Sequence, residues 1–488
     1  MIRPMRKRWR VDLLSEDEVE RVYGATLTVL ERVGLQIDSE PVLRELAAAG
    51  AEVDLEAQRV RFPRPMVEEA VARAPRSFLM ASRDPDCDVA VDGSAGYLSL
   101  DGTPAHIVDL ETGSRRPPMT EDFEQVMALA DAIPEVSYTW PAFAISDVPP
   151  LAQAVEQVYL QLARCPKHAQ ANEVIEPADA RATIEMARAV AGSDEELRRR
   201  PIVSNYQCSI SPLCYDGAAI EAALVFARAG MPAGFVSMAV STAAAPTTLA
   251  GHLVGVFAEI VGGVVVLETL VPGAATFVGP YEAFMDLATG DMEPAWGGEE
   301  VLFKLGAAQL ARRFGLPVNI GALNTGANSP DWQGGAQTTL SLMGLAIAGD
   351  TELISATGTL RGSSVFSFEQ MVLETELFDM VCHMLEHGFP VTEEDLAVSV
   401  IEAVGPGGHF LAEPHTLAHM RERWRSSLFG KAGWAEWEAA GRPEPRDRAR
   451  DRVRQILAEH RPEPLSEDVD RELRAIVEHR RRELEDGD

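Results

Sequence analysis

Eight aromatic side chains, Trp140, Phe143, Tyr206, Phe235, Phe277, Tyr281, Trp296 and Trp332, fall at or just past the ends of short apolar runs, in a chain that is only 6% aromatic. Aromatic faces carry partial negative charge and attract quaternary ammonium groups, which have no N–H to donate. Tyr206, Trp296 and Trp332 adjoin loops and are the candidates for such a cage. Phe143, Phe235 and Phe277 read as core filling. Polar residues gather in the same loops, among them Asn324, Asn328, Asp331 and Arg361.

Other chemistry is weaker or absent. His383 to His387 spells HxxEH, which sets two imidazoles one helical turn apart as zinc peptidases require. The match sits where a helix must stop at Gly388-Phe389-Pro390 and no third ligand follows, so histidines at a helix C-terminus are the expectation. Glu374 and Glu376 share the last helix of the repeating region. Residues two apart point to different faces, so at most one aims inward, and a solvated or ion-paired carboxylate is expected. Gly430-Lys431 lacks the upstream glycine of a phosphate loop, and Gly405-Pro406-Gly407-Gly408 follows no strand as a dinucleotide fingerprint must. No GxSxG elbow occurs.

The elements that must position these residues are plainest in 316–368. There a short apolar run, a Gly/Asn/Pro loop, a helix-compatible segment from Gln333 and a second short run follow in order. Such alternation marks βαβ units in a parallel sheet, with ligands beyond the carboxyl ends of the strands. Candidate strands fall at 97–100, 136–143, 168–172, 202–209, 234–240, 274–279, 318–323 and 353–357. Helices are expected to start near Thr120, Pro150, Pro177, Asp216, Pro246, Gly298, Gln333 and Ser367. Eight strands each followed by a helix is the count of a (β/α)8 TIM barrel in the α/β class. A doubly wound open sheet is the alternative.

Around this barrel, assigned to residues 96–388, the pattern gives an N-terminal α+β cap over 1–95 and a helical C-terminal extension over 389–488. The cap opens with a capping box at Ser15 and Glu18. The extension is rich in Arg and Glu, expected as solvated faces with i,i+4 pairs and an oligomer contact, which makes a homo-oligomer the expected assembly. The net charge is −31 over 488 residues, which disfavours nucleic acid and anionic membranes as partners. Five cysteines without CxxC spacing point to reduced thiols in the cytoplasm. The basic stretch 1–10 lacks the apolar core of a signal peptide. The apolar stretch 249–278 is interrupted by Glu259, Glu268 and Pro272, so it reads as a buried helix followed by a strand.

Six segments, 31–38 (ERVGLQID), 109–117 (DLETGSRRP), 245–251 (APTTLAG), 271–277 (VPGAATF), 331–335 (DWQGG) and 368–376 (FEQMVLETE), occur in this order. Together they resemble the trimethylamine:corrinoid methyltransferase (MttB) family over about residues 15–390. The resemblance implies a (β/α)8 barrel that passes a methyl group from a methylated amine to the Co(I) of a separate corrinoid protein. No DxHxxG cobalamin-ligating sequence is present, so no cofactor is expected to be bound directly and the corrinoid (cobalamin) would arrive on its partner. Members that use trimethylamine carry pyrrolysine on a late barrel strand or loop. Here only standard residues occur, as in family members for glycine betaine and related quaternary amines. A glycine betaine-like substrate is therefore expected, with Arg361 or Asn324 as donor to its carboxylate. The alternatives are trimethylamine or a non-amine donor, and a barrel that binds quaternary amines without turnover.

Overall fold

The computed structural model describes residues 1–102, 104–293 and 297–486. Eight parallel strands form its centre: β1 (Ala95–Leu100), β2 (Val136–Thr139), β3 (His168–Ala171), β4 (Val203–Cys208), β5 (Ala233–Ser237), β6 (Val278–Pro280), β7 (Asn319–Gly321) and β8 (Leu353–Thr357). They pair in chain order from β1 to β6, and β7 joins β8, which joins β1. A bridge between Val278 and Val318 closes β6 onto β7, so the sheet is a barrel and not an open doubly wound sheet.

Eight helices follow the strands: α1 (Thr120–Ala132), α2 (Gln153–Arg164), α3 (Pro177–Ala191), α4 (Gly217–Arg228), α5 (Leu249–Leu270), α6 (Gly298–Phe314), α7 (Trp332–Ala348) and α8 (Phe368–His387). Local chemistry sets their ends. Asp216, Thr248, Asp331 and Ser367 cap α4, α5, α7 and α8 by accepting a backbone N–H of the first turn. The apolar helix α5 is long enough to cross a membrane, but most of it is buried in the fold.

Strand ends differ from expectation where local chemistry intervenes. β2 stops at Thr139, ahead of Pro141, which has no N–H for a ladder. The sixth strand is assigned only from Val278, although Ala275 and Phe277 already accept bonds from Ala233 and Phe235 of β5. One further irregularity matters for the site. Three steps along β8, Ile354 to Thr357, face two along β1, Leu98 to Leu100. This bulge breaks the two-residue alternation, so Ser355 points into the barrel while Thr357 points out toward α8.

The N-terminal segment is sewn to the barrel. Met5–Arg6 pairs with Ala95 and Gly96, and the four-stranded sheet of 35–61 takes its last strand, Cys214–Tyr215, from the β4–α4 loop. One apolar core runs through both. Two C-terminal helices, α9 (Pro445–Glu459) and α10 (Glu467–Asp486), pack on the barrel helices. Three of their arginines depart from the reading as solvated faces, while Arg471 and Arg474 stay exposed in i,i+3 and i,i+4 pairs. Arg450 pairs with Glu369 at 3.0 Å, and Arg480 and Arg481 reach Asp179 and Glu156 at 2.6 Å. These contacts tie the extension to α8, α3 and α2.

Candidate active site at the barrel mouth

Inside the barrel the strands aim alternate residues at the axis, and those nearest the carboxyl ends build a floor. Tyr206 of β4 is fully buried there. Its ring stands edge-on to Trp140, with centroids 5.6 Å apart, and tilts against Phe277 at 4.9 Å. Its hydroxyl rests on Gly279 beside the ring of Tyr281. The Tyr281 hydroxyl meets Ser355 and donates to Asn319 Oδ1 at 3.1 Å, and Ser355 donates to the same oxygen at 2.9 Å. Asn319 Nδ2 in turn donates to the Tyr138 hydroxyl at 3.4 Å. Burial lifts all three tyrosine hydroxyls above their ordinary range, so they remain neutral.

Above the floor come Asp101, Trp140, Asn172, Cys208 and Met238, each in step with the inward residues of its strand. Gly102 lets two of them meet: a Cβ there would lie 2.9 Å from Asn172 Nδ2 and 3.4 Å from the Trp140 ring. Met238 is 48% exposed and Cys208 is an exposed residue, so the rim reaches solvent at the ends of β4 and β5. Protein nevertheless surrounds Cys208 closely, as it does a side chain in a cavity wall, and pushes its thiol up to about 12. Asp101 is buried and accepts from Gly102 N–H at 2.9 Å, from Thr359 Oγ1 at 3.1 Å and from Ser363. Burial raises its pKa in spite of these bonds. Glu173, bonded to Asn172, is raised to about 7, again by burial.

Three buried carboxyl groups brace the wall from behind. Glu259 of α5 accepts from Ser209, Ser211 and Ser237 at 2.5 to 2.7 Å and from Leu213 N–H at 2.8 Å, which fixes the loop after β4. Glu374 of α8 accepts from Thr357 Oγ1 at 3.0 Å, Gly358 N–H at 2.7 Å and Gln370 Nε2 at 2.7 Å. Burial outweighs these bonds and brings it to about 8. Glu282, next to Tyr281 in the chain, lies 3.2 Å from the Lys304 ammonium, which also pairs with Glu300 and donates to Ser341 Oγ at 2.5 Å. Lys304 is wholly buried, and the two carboxylates hold its charge.

Among the residues singled out from sequence, Tyr206 and Asn324 stand near the axis. Asn324 is 5% exposed, and its amide nitrogen and the Tyr281 ring both approach Gly321. Arg361 occupies a turn at φ +54°, half exposed, with its guanidinium 3.7 Å from Asp291. Trp332 does not face the axis. Capped by Asp331, it opens α7 on the outside of the wall, where its ring is 88% exposed beside a groove shared with α8 and Phe429. Trp296 lies outside the described residues. Phe143, Phe235 and Phe277 are core. The reading of Glu374 as solvated or ion-paired is overturned, because it is wholly buried and bonded to neutral donors; its neighbour Glu376 binds Ser426 and Ser427. His383 and His387 stack at 5.6 Å near the end of α8. Asp101, Asn172, Glu173, Cys208 and Met238 were missed. Their only sequence signal is position, at or just past a strand's last inward residue.

A closed (β/α)8 barrel with an aromatic cluster at the carboxyl ends of its strands, below a rim that reaches solvent, defines a barrel enzyme of the small-molecule-binding kind. Residues 2–485 match the family described as trimethylamine methyltransferase (MTTB), and the chain belongs to that family. It is a methyltransferase. Similar relatives include a trimethylamine methyltransferase MttB of Desulfitobacterium hafniense, 32% identical over 91% of this chain and 89% of the relative. A glycine betaine methyltransferase of the same species is 28% identical over 92% and 93%. MttB of Methanosarcina barkeri is 30% identical over 92% and 91%. The crystal structure of the Methanosarcina barkeri monomethylamine methyltransferase (MtmB) shares the fold, with a TM-score of 0.51 at 12% identity over 92% of this chain and 88% of that one.

Proposed function

We propose that this methyltransferase removes one methyl group from a glycine betaine-like quaternary ammonium compound and passes it to the Co(I) of a corrinoid carried by a separate protein. One observation carries the reading: Trp140, Tyr206 and Tyr281 pack as one aromatic cluster at the carboxyl ends of the strands, beside a rim that bears Asp101. Aromatic faces with carboxyl groups nearby suit a cation that cannot donate a hydrogen bond. Likeness to a glycine betaine methyltransferase over nearly the whole chain agrees with it.

The chemistry asks little of the protein beyond position. A quaternary nitrogen leaves as a neutral tertiary amine when the reduced metal, as co-substrate, attacks one methyl carbon along the C–N axis. The aromatic floor holds the other alkyl groups so that one methyl faces the opening. As the positive charge on nitrogen fades, no acid is needed to expel the amine. A substrate carboxylate would be met by the Asn324 amide beside Tyr281 or, at the outer rim, by Arg361. The mouth must also receive the corrinoid carrier, and the exposure of Met238 and Cys208 leaves room for an approach along the barrel axis. The same reading places the enzyme in the cytoplasm as a homo-oligomer.

The test is anaerobic incubation with Co(I) cobalamin and a panel of betaines. Methyl-Co(III) absorbance should grow only with a quaternary substrate. Tight betaine binding with no methylcobalamin would instead make the barrel a non-catalytic binder.

A further inference from the structure

Beside the mouth, between the loops that follow β2 and β3, lies a second cavity of about 340 Å3. Pro141, Phe143 and Ile175 give it apolar walls, and Glu173 and Gln157 supply oxygen atoms. Gln157 is 98% buried. Its Nε2 is committed to the Phe143 carbonyl at 3.0 Å, and its Oε1 has no partner. An unpaired buried carbonyl oxygen is costly, and it marks a place where a donor belongs. Glu173 has one neutral partner, Asn172 Nδ2 at 3.3 Å, and no cation among the described residues. Of the other two carboxylates of the lining, Asp179 pairs with Arg480, and Glu176 stands at the N-terminus of α3 without a capping hydrogen bond, a further carboxyl on the cavity wall. Free oxygen acceptors thus face a cavity of mixed polarity with room for an N–H donor.

Glu173 also connects this cavity with the mouth. Asn172, its hydrogen-bond partner, is one of the rim residues, and the Cys208 thiol senses the Glu173 charge. On the far side, Leu151 and Ile175 are 61% and 50% exposed and open the cavity to solvent. A quaternary ammonium has no N–H to donate to these acceptors. A protonated tertiary amine has one.

We infer that this cavity is a product subsite, built on Glu173 and Gln157, that takes the protonated tertiary amine left after demethylation of a quaternary ammonium substrate. The inference rests on the proposed function. The amine departs with the electron pair of the broken C–N bond, takes the proton of the Glu173 carboxyl and leaves a carboxylate behind. Its new N–H then donates to that carboxylate or to Gln157 Oε1, and the ion leaves past Ile175. A carboxyl raised to about 7 holds its proton in a useful fraction of molecules at neutral pH.

The test compares trimethylammonium with tetramethylammonium chloride by calorimetry at about pH 8, where Glu173 is largely ionised. Wild type, Glu173→Gln and Ile175→Trp are titrated with each salt. Removing the carboxylate should weaken trimethylammonium binding by roughly tenfold or more, the value of one charge-assisted hydrogen bond, and change tetramethylammonium binding by less than about twofold. Ile175→Trp, a change at a half-exposed position that fills the cavity without touching the barrel, should show the same selectivity. Equal effects on both cations, or no effect on trimethylammonium, would overturn the subsite. Binding is read without turnover, so a failure to methylate cobalamin would count against the proposed function alone.

Discussion

The hydroxyl of Tyr206 sits directly on the Cα of Gly279, in the space that a Cβ would need. The floor therefore depends on a residue without a side chain. Gly279→Ala should push the Tyr206 ring out of place and cost about 1–3 kcal/mol of stability as overpacking. Urea unfolding measures that loss, and betaine affinity should fall in the same variant. An alanine tolerated without change in either would show that the floor is not packed as described.

The two tryptophans with opposite surroundings should separate cleanly. Trp140→Ala removes a ring next to Tyr206 and should weaken quaternary ammonium binding by about 1–2 kcal/mol. Trp332→Ala, on the outer wall, should change it by less than about 0.5 kcal/mol. Calorimetric titration with glycine betaine gives both values.

Glu374 links the end of β8 to pH. Its folded pKa of about 8 lies above the ordinary 4.5, so the native chain keeps a proton that the unfolded chain releases. The stability this proton contributes is complete below the unfolded value and is lost as pH rises through about 8, at most about 1.4 kcal/mol per pH unit for one group. Glu374→Gln should flatten the decline in urea midpoint between about pH 5 and 8. Some slope will remain, because Asp101 and Glu173 are raised in the same direction.

Lys304 is the cation between Glu282 and Glu300 behind Tyr281. Lys304→Met strands two carboxylates in the core and should destabilise by roughly 3–5 kcal/mol. Adding Glu282→Gln and Glu300→Gln should recover much of that loss. Thermal denaturation of the single and triple variants checks the pair of outcomes.

The eight strands and eight helices were legible because most helices follow a capping residue or an early proline and the strands are short, largely buried runs. The capping residues Asp216 and Ser367 stand where the sequence places a helix start. The site was less legible. Tyr206 and Asn324 were found because they end or follow strands, but the same rule selected Trp332, which the Asp331 cap turns outward into the first helical turn. Asp101, Asn172 and Cys208 carry no motif and matter only because closure of the barrel brings the ends of β1, β3 and β4 together. Glu374 was read as solvated because a carboxylate on a helix usually is. The bulge in β8, which turns Thr357 outward to meet it, has no local signature.

The most direct test of the account sets glycine betaine against trimethylamine under identical anaerobic conditions with Co(I) cobalamin, following methyl-Co(III) absorbance. A cage that serves a pre-charged nitrogen predicts transfer from glycine betaine and none above background from trimethylamine. Transfer from trimethylamine with glycine betaine inert would contradict it.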